Sequence, residues 1–300
     1  MGNPKAFLTI HRQEAGYRPV HERIDDFSEV EQTLNSSDRR TQASRCMDCG
    51  VPFCHWACPL GNKQPEWQDL LYKGRWREAS TCWSRPATSR SLPDASARTL
   101  RGRLHAWSSP RCSLIKAIEK KIAEVAFSEG YVRRSRQLPQ RGCSVAVVGS
   151  GPAGLAAAQQ LARMGHAVTV YEKMDKPGGL LRYGIPDFKL GKKVVDRRLD
   201  QLVREGVRFV LSTRVTGTDG ETLEPGVHDD AESTISIAAL QAKYDAVVLA
   251  LGAEVPRDLK LPGRELSGIH FALDFLIAQN RVNSGGGVNP VRGPRQACLW

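Results

Sequence analysis

Residues 144–172 read SVAVVGSGPAGLAAAQQLARMGHAVTVYE, and few folds are compatible with them. Ser144–Val148 is a short apolar run of the kind that forms a buried strand, and His166–Glu172 is a second. A glycine-rich turn and the helical stretch Ala153–Met164 lie between them. Strand, helix and strand in that order make one βαβ unit of a parallel sheet. In Gly149-Ser-Gly151-Pro-Ala-Gly154 each glycine has a physical role. Gly149 makes the tight turn, Gly151 lets the backbone approach a pyrophosphate, and Gly154 permits close helix–strand contact. The helix N-terminus offers free N–H groups and a positive dipole end to phosphates. Glu172 ends the next strand, 18 residues beyond Gly154, where a carboxylate can accept hydrogen bonds from a ribose. A lone G-x-G-x-x-G is a weak signal. Set between strand, helix, strand and terminal acid, it predicts a dinucleotide site rather than a ligand-free turn.

The rest of the chain divides around this unit. Tyr244–Leu251 (YDAVVLAL) reads as another buried strand, closed by Gly252. Short amphipathic pieces occur at Asp38–Arg45 and Glu66–Ala79, and Ile115–Ser128 carries a helical apolar stripe at 118, 122, 125 and 126. Residues 132–142 are polar and Arg-rich and contain Pro139, which marks a linker. The expected class is α/β, with a helical domain over 1–131 and a Rossmann-like domain over 143–300. There is no internal repeat.

Three hundred residues with 41% hydrophobic content suffice for two cores. No apolar run reaches the roughly 18 residues of a membrane span. MGNPKAFLTI lacks a secretory apolar region, and Ala6 breaks the myristoylation pattern that Gly2 would begin. A cytoplasmic protein with no membrane association is expected. The formal charge of +11 raises the question of nucleic acid, but almost half the excess sits in residues 81–114, with six arginines against one aspartate. No aromatic residues interleave with the basic runs in a stacking pattern, so no nucleic-acid partner is expected.

Four of the eight cysteines, Cys46, Cys49, Cys54 and Cys58, fall in CMDCGVPFCHWACP at spacing C-x2-C-x4-C-x3-C. In a cytosolic chain such a cluster points to a metal or redox site rather than to disulfides. Four thiolates suit tetrahedral zinc. Proline after the last cysteine, here Pro59, favours iron–sulfur ligation. Trp67 and Trp76 are expected as core contacts, and Cys143, before a buried strand, as a small core residue.

Arg45–Gly61 (RCMDCGVPFCHWACPLG), Gly74–Glu78 (GRWRE), Val145–Gly154 (VAVVGSGPAG) and Gly178–Leu190 (GGLLRYGIPDFKL) together resemble the small subunit of NADPH-dependent glutamate synthase. The opening, with Arg18-Pro-Val and Glu22-Arg-Ile, does so too. The resemblance covers about residues 1–80 and 115–283. It implies an N-terminal helical, ferredoxin-like domain with two [4Fe–4S] clusters, then a FAD domain with an NADPH domain inserted. It also implies electron flow from NADPH through FAD and the clusters to a large subunit that makes glutamate from glutamine and 2-oxoglutarate. Pro152 and Ala153 favour FAD over NAD by resemblance to flavoprotein fingerprints. Carried over by position, Gly149, Gly151, Gly154 and Glu172 would bind FAD pyrophosphate and ribose. Gly179, Leu180 and Arg182 would lie along the flavin, and Ala250–Gly252 would form a second turn of the flavin domain. Cys46, Cys49, Cys54 and Cys58 would be cluster ligands, three in one cluster and the fourth in the other. His55 would pack or hydrogen-bond nearby, since the family does not use it as a ligand. No acid or base for hydride transfer can be named. A non-catalytic FAD-holding or electron-transfer module, or a related reductase subunit of pyrimidine or ferredoxin type, is the alternative.

The chain departs from this pattern in two places. The family carries a second cysteine motif, C-P-A-P-C-E-x-A-C, expected near residues 97–105, where this chain reads ARTLRGRLH. The ligand set is therefore expected to be incomplete: Cys46, Cys49 and Cys54 would need a fourth ligand, for which Cys82 or Cys112 could at most stand in. No second G-x-G-x-x-G occurs either, so the NADPH site and the far part of the FAD domain are expected to be missing. Permitted codons for Ser89–Arg98, read one frame over, give PEFTGRICP, and those for Arg98–Trp107, in another frame, give APCEGACML. A reading-frame slip over roughly 81–114 is thus expected, and a shorter match at Arg295–Leu299 suggests another near the end. Genomic codons that yield the cysteine motif when shifted would bear this out; codons that cannot yield it would refute it.

Overall fold

A computed structural model of the chain describes residues 3, 5–58, 61–84, 115–132, 142–217, 228–258 and 261–286. It divides into two compact units, Met1–Glu22 with Val30–Arg134, and Arg23–Glu29 with Ser135–Trp300.

Up to residue 132 the described regular elements are helices: α1 (Ala6–Thr9), α2 (Val20–Arg23), α3 (Ser36–Ala43), α4 (Phe53–Ala57), α5 (Gln64–Tyr72), α6 (Trp76–Ser84) and α7 (Ile115–Ser128). Helix α3 begins where the Asn35 side chain accepts the Asp38 N–H at 2.8 Å, an N-cap that satisfies one orphan donor. The stretch expected as one amphipathic piece over Glu66–Ala79 is broken into α5 and α6. Gly74 takes φ +75°, a left-handed conformation that glycine adopts without a side-chain clash. Around it the Gly74 N–H donates to Leu71 O at 2.9 Å and the Arg75 N–H to Leu70 O at 2.8 Å, a Schellman end to α5. Trp67, Leu71, Ala79, Trp83, Ile118, Ile122 and Ala123 form the core, and Trp76 packs against it half-buried. The indole N–H of Trp67 donates to Asn62 Oδ1 at 3.0 Å, so the largest core ring has its polar edge satisfied.

Residues 81–84, assigned to the aberrant segment by sequence, instead complete α6. Trp83 lies in the core and Cys82 packs against it. Residues 85–114, and with them most of the frame-slip expectation and Cys112, lie outside the described residues, as does the tail from 287 with Cys298.

The second unit contains β1 (Ser144–Val148), α8 (Pro152–Arg163), β2 (Ala167–Tyr171), α9 (Leu180–Tyr183), α10 (Lys192–Arg204), β3 (Arg208–Val210), β4 (Thr213–Thr216), β5 (Ser233–Ser236), α11 (Ile237–Lys243), β6 (Ala246–Leu249) and α12 (Ala272–Asn283). Strands β3-β2-β1-β6 form a parallel sheet in that order, and β4 and β5 pair parallel in a second, two-stranded sheet. Val145 to Val148 are all buried, as an apolar central strand requires. The pairing Val147↔Val170 and Val147↔Val248 sets β1 between its neighbours. Helix α8 is tied to the end of α10 by a buried carboxylate: Glu205 accepts from Gln159 at 2.7 Å and twice from Arg163 at 3.0 Å.

Two expectations about burial fail here. Cys143 is exposed, because it precedes the first paired residue of β1. The stretch read as a buried strand over Tyr244–Leu251 forms β6, with Leu249 60% exposed. Among the described strands β6 has only β1 beside it, so an apolar sequence alone does not bury it. No helix among the described residues is long and apolar enough to cross a membrane.

Candidate dinucleotide site

The strand order places the switch point at β1. The chain leaves β1 toward β2 on one side, while β6 returns on the other, and in open parallel sheets ligands bind at the carboxyl ends of strands beside such a point. Four segments meet there. The first is the turn from β1 into α8. A Cβ on Gly149, whose φ is +99°, would collide with the carbonyl oxygen of Ala250, and one on Gly154 with the carbonyl oxygen of Gly149. Ala250 itself donates its N–H to Val148 O at 2.8 Å, so the end of β6 is fixed against this turn. Gly151 is the N-cap of α8 and no side chain caps the helix; Pro152, exposed at the first helical position, has no N–H to lose. A Cβ on Gly151 would meet nothing within 4 Å. The helix end therefore faces open space with its first N–H groups uncapped by any side chain, which fits a bound pyrophosphate. Ala153 is exposed on the same first turn.

The second segment is the end of β2. Glu172 is 6% exposed. Its Oε2 accepts from the Ser150 N–H at 2.9 Å and from the Ser150 hydroxyl, and its Oε1 accepts from the Met174 N–H at 3.0 Å. The acid expected at the ribose is thus also bonded to the phosphate turn.

The third segment is the loop 178–190. A Cβ on Gly179 would lie 3.0 Å from the Cα of Gly151, so this loop rests directly on the turn. Leu180 is 49% exposed beside it. Arg182 is occupied within its own surroundings, donating to Pro177 O at 2.8 Å and pairing with Asp196. Two side chains that motif reading missed hold the loop. Lys192 Nζ donates to Ile185 O and lies 3.3 Å from Asp187, while Asn280 on α12 donates to Tyr183 O at 2.7 Å. Burial holds the Lys192 amine below its usual pKa. The fourth segment is the turn after β6, where Gly252 has φ +77° and open space around it. The residues expected at the dinucleotide therefore converge from four parts of the chain.

The cysteines lie in the first unit. Burial, followed by the charge of Asp48 at Cys46 and by the Cys46 thiol at Cys54, pushes Cys46 up to about 11 and Cys54 up to about 12. The backbone N–H groups of Asp48 and His55 partly oppose this rise at Cys46 and Cys54 respectively. Cys58 is buried at the far end of α4. His55 hydrogen-bonds Glu66 at 3.1 Å. Among the described residues no group of three or more His, Cys, Asp or Glu is arranged to hold a metal ion. The described residues therefore do not present a closed four-thiolate set.

Two families match the chain. Pyridine nucleotide-disulphide oxidoreductase matches residues 143–286, and dihydropyrimidine dehydrogenase domain II, 4Fe-4S cluster, matches residues 23–99. The glutamate synthase (NADPH) small chain of Mycobacterium tuberculosis is 46% identical over 297 residues, covering 96% of this chain and 56% of that one. The chain belongs to the glutamate synthase small-chain family. The Bacillus subtilis small chain is 38% identical over 92% of this chain, and that of Escherichia coli 33% over 95%. This chain spans 55% and 58% of those two, so it covers little more than half the length of these relatives. The family is one of FAD and iron–sulfur oxidoreductases, and the two matched domains correspond to those cofactors.

A methyl group at Gly154 has no room against the Gly149 carbonyl, and forced overpacking of this kind costs about 1–3 kcal/mol. Gly154→Ala is expected to lose that much stability by chemical denaturation and to weaken FAD binding at least about tenfold, whereas Gly151→Ala, in open space, should fold normally and lose FAD alone.

Proposed function

We propose that this chain works as the flavin-bearing part of a glutamate synthase small subunit. In that reading electrons from NADPH pass through FAD toward a large subunit that forms glutamate from glutamine and 2-oxoglutarate, in the cytoplasm. The observation that carries it is the open, uncapped N-terminus of α8 at the switch point, with Gly179 resting on its N-cap Gly151 and Gly149 held against Ala250.

The chain's own residues bind and orient. The N-terminal amides of α8 take the pyrophosphate, and Gly151 admits it by having no side chain. Glu172 accepts from a ribose hydroxyl. Gly179 and Leu180 border the flavin, and Lys192 and Asn280 keep their loop from moving. When bound, FAD supplies two-electron exchange with a nicotinamide and one-electron release to iron–sulfur centres. In this reading Cys46, Cys49, Cys54 and Cys58 stand where the family's cluster ligands stand, and without the second cysteine motif they do not complete a ligand set.

The test is an anaerobic assay of flavin, iron, sulfide and zinc on the purified chain, with its visible spectrum. About one FAD per chain is expected, with iron well below the roughly eight atoms of two four-iron clusters. A chain that takes up no FAD at any attainable concentration would refute the reading.

A further inference from the structure

We propose that the Ser150 hydroxyl is a positioning residue of the flavin site, one that locks the phosphate turn, the Glu172 carboxylate and the Gly178–Gly179 loop into a single geometry. The proposal rests on the flavin reading above. Ser150 is fully buried. Its surroundings fix the direction of every hydrogen bond it makes. The Gly178 N–H, 2.8 Å away, can only donate, so Oγ accepts there. The hydroxyl proton then goes to Glu172 Oε2, which also accepts the Ser150 N–H at 2.9 Å. One hydroxyl therefore joins positions 22 and 28 residues away.

This arrangement has two consequences for the ligand. A carboxylate has about four acceptor positions. Ser150 takes two on Oε2 and the Met174 N–H takes one on Oε1, which leaves the second position of Oε1 for a ribose hydroxyl. Ser150 thus selects which oxygen of Glu172 faces the nucleotide. The loop cannot replace a lost bond by turning its amide elsewhere. A Cβ at Gly178 would already lie 3.2 Å from both Arg182 and Val195, and Gly179 rests against Gly151. Alanine at 150 leaves the Gly178 N–H without a partner, and an unsatisfied buried donor is disfavoured. The loop it belongs to borders the flavin in the reading above, so the displacement reaches the bound chromophore.

A merely space-filling serine would affect stability alone, and three readouts separate the cases. The full chain and its Ser150→Ala and Ser150→Cys variants are titrated with FAD, the visible circular dichroism of bound flavin is recorded, and amide exchange at Gly178 is followed without ligand. Ser150→Ala is expected to bind FAD about tenfold more weakly, or ~1.4 kcal/mol. Its flavin dichroism should be altered and its Gly178 amide should exchange at least about tenfold faster. Ser150→Cys, keeping a weak donor and acceptor, should fall between, and it decides by the same readouts if the alanine variant does not fold. A folded variant with unchanged FAD affinity, dichroism and Gly178 exchange overturns the proposal while leaving the flavin site standing. Failure of the unmodified chain to bind FAD overturns both.

Discussion

Backbone meets backbone at the carboxyl end of β1. The carbonyl oxygen of Gly149 fills the space that a side chain on Gly154 would need, and the carbonyl of Ala250 does the same to Gly149. Three segments, the end of β1, the start of α8 and the end of β6, are brought closer than any larger residue permits. The open amides of α8 and the position of the loop after β6 follow from that approach. Because Gly179 in turn rests on Gly151, the loop proposed to border the flavin inherits its placement from the same contact. The conformational freedom glycine gives up on folding is here offset by the hydrogen bonds and packing that the close approach allows.

The first unit solves a different problem, holding an irregular cysteine loop on a small helical core. Polar side chains buried at its root do this. Arg45, 2% exposed and directly before Cys46, donates to Ile10 O at 3.0 Å. Gln42, 1% exposed, donates to His11 O at 2.9 Å and accepts from the Gln13 N–H at 3.2 Å. The N-terminal segment is thereby stitched to the end of α3, and the cysteine loop leaves from a fixed point. Buried polar groups are tolerated because each of these bonds replaces one lost to water.

Features encoded by spacing were legible in the sequence. The βαβ unit, α7 and the glycine turn each depend on residues within about 30 positions and on a fixed period. Features decided by distant partners were not. The break at Gly74 was hidden inside an amphipathic pattern that runs through it. The exposure of Leu249 depends on which strands flank β6, and that of Cys143 on where pairing with β2 begins. Ser150 stood in plain view between two motif glycines, yet its bonds to Glu172 and to the Gly178 N–H are contacts that no motif spacing specifies. Lys192 and Asn280 carry no motif at all; only the fold brings them to one loop.

The central claim is that the turn at Gly149–Gly154 and the acid at Glu172 recognise the pyrophosphate and ribose of FAD. FMN shares the flavin ring but lacks the adenosine half and the pyrophosphate bridge. Parallel titrations of the chain with FAD and FMN therefore isolate those contacts. With each satisfied charge-assisted bond worth about 1.5–3 kcal/mol, FAD should bind at least about a hundredfold tighter than FMN. Equal affinities would show that neither the pyrophosphate bridge nor the adenosine half is recognised, and would contradict the assignment of this site.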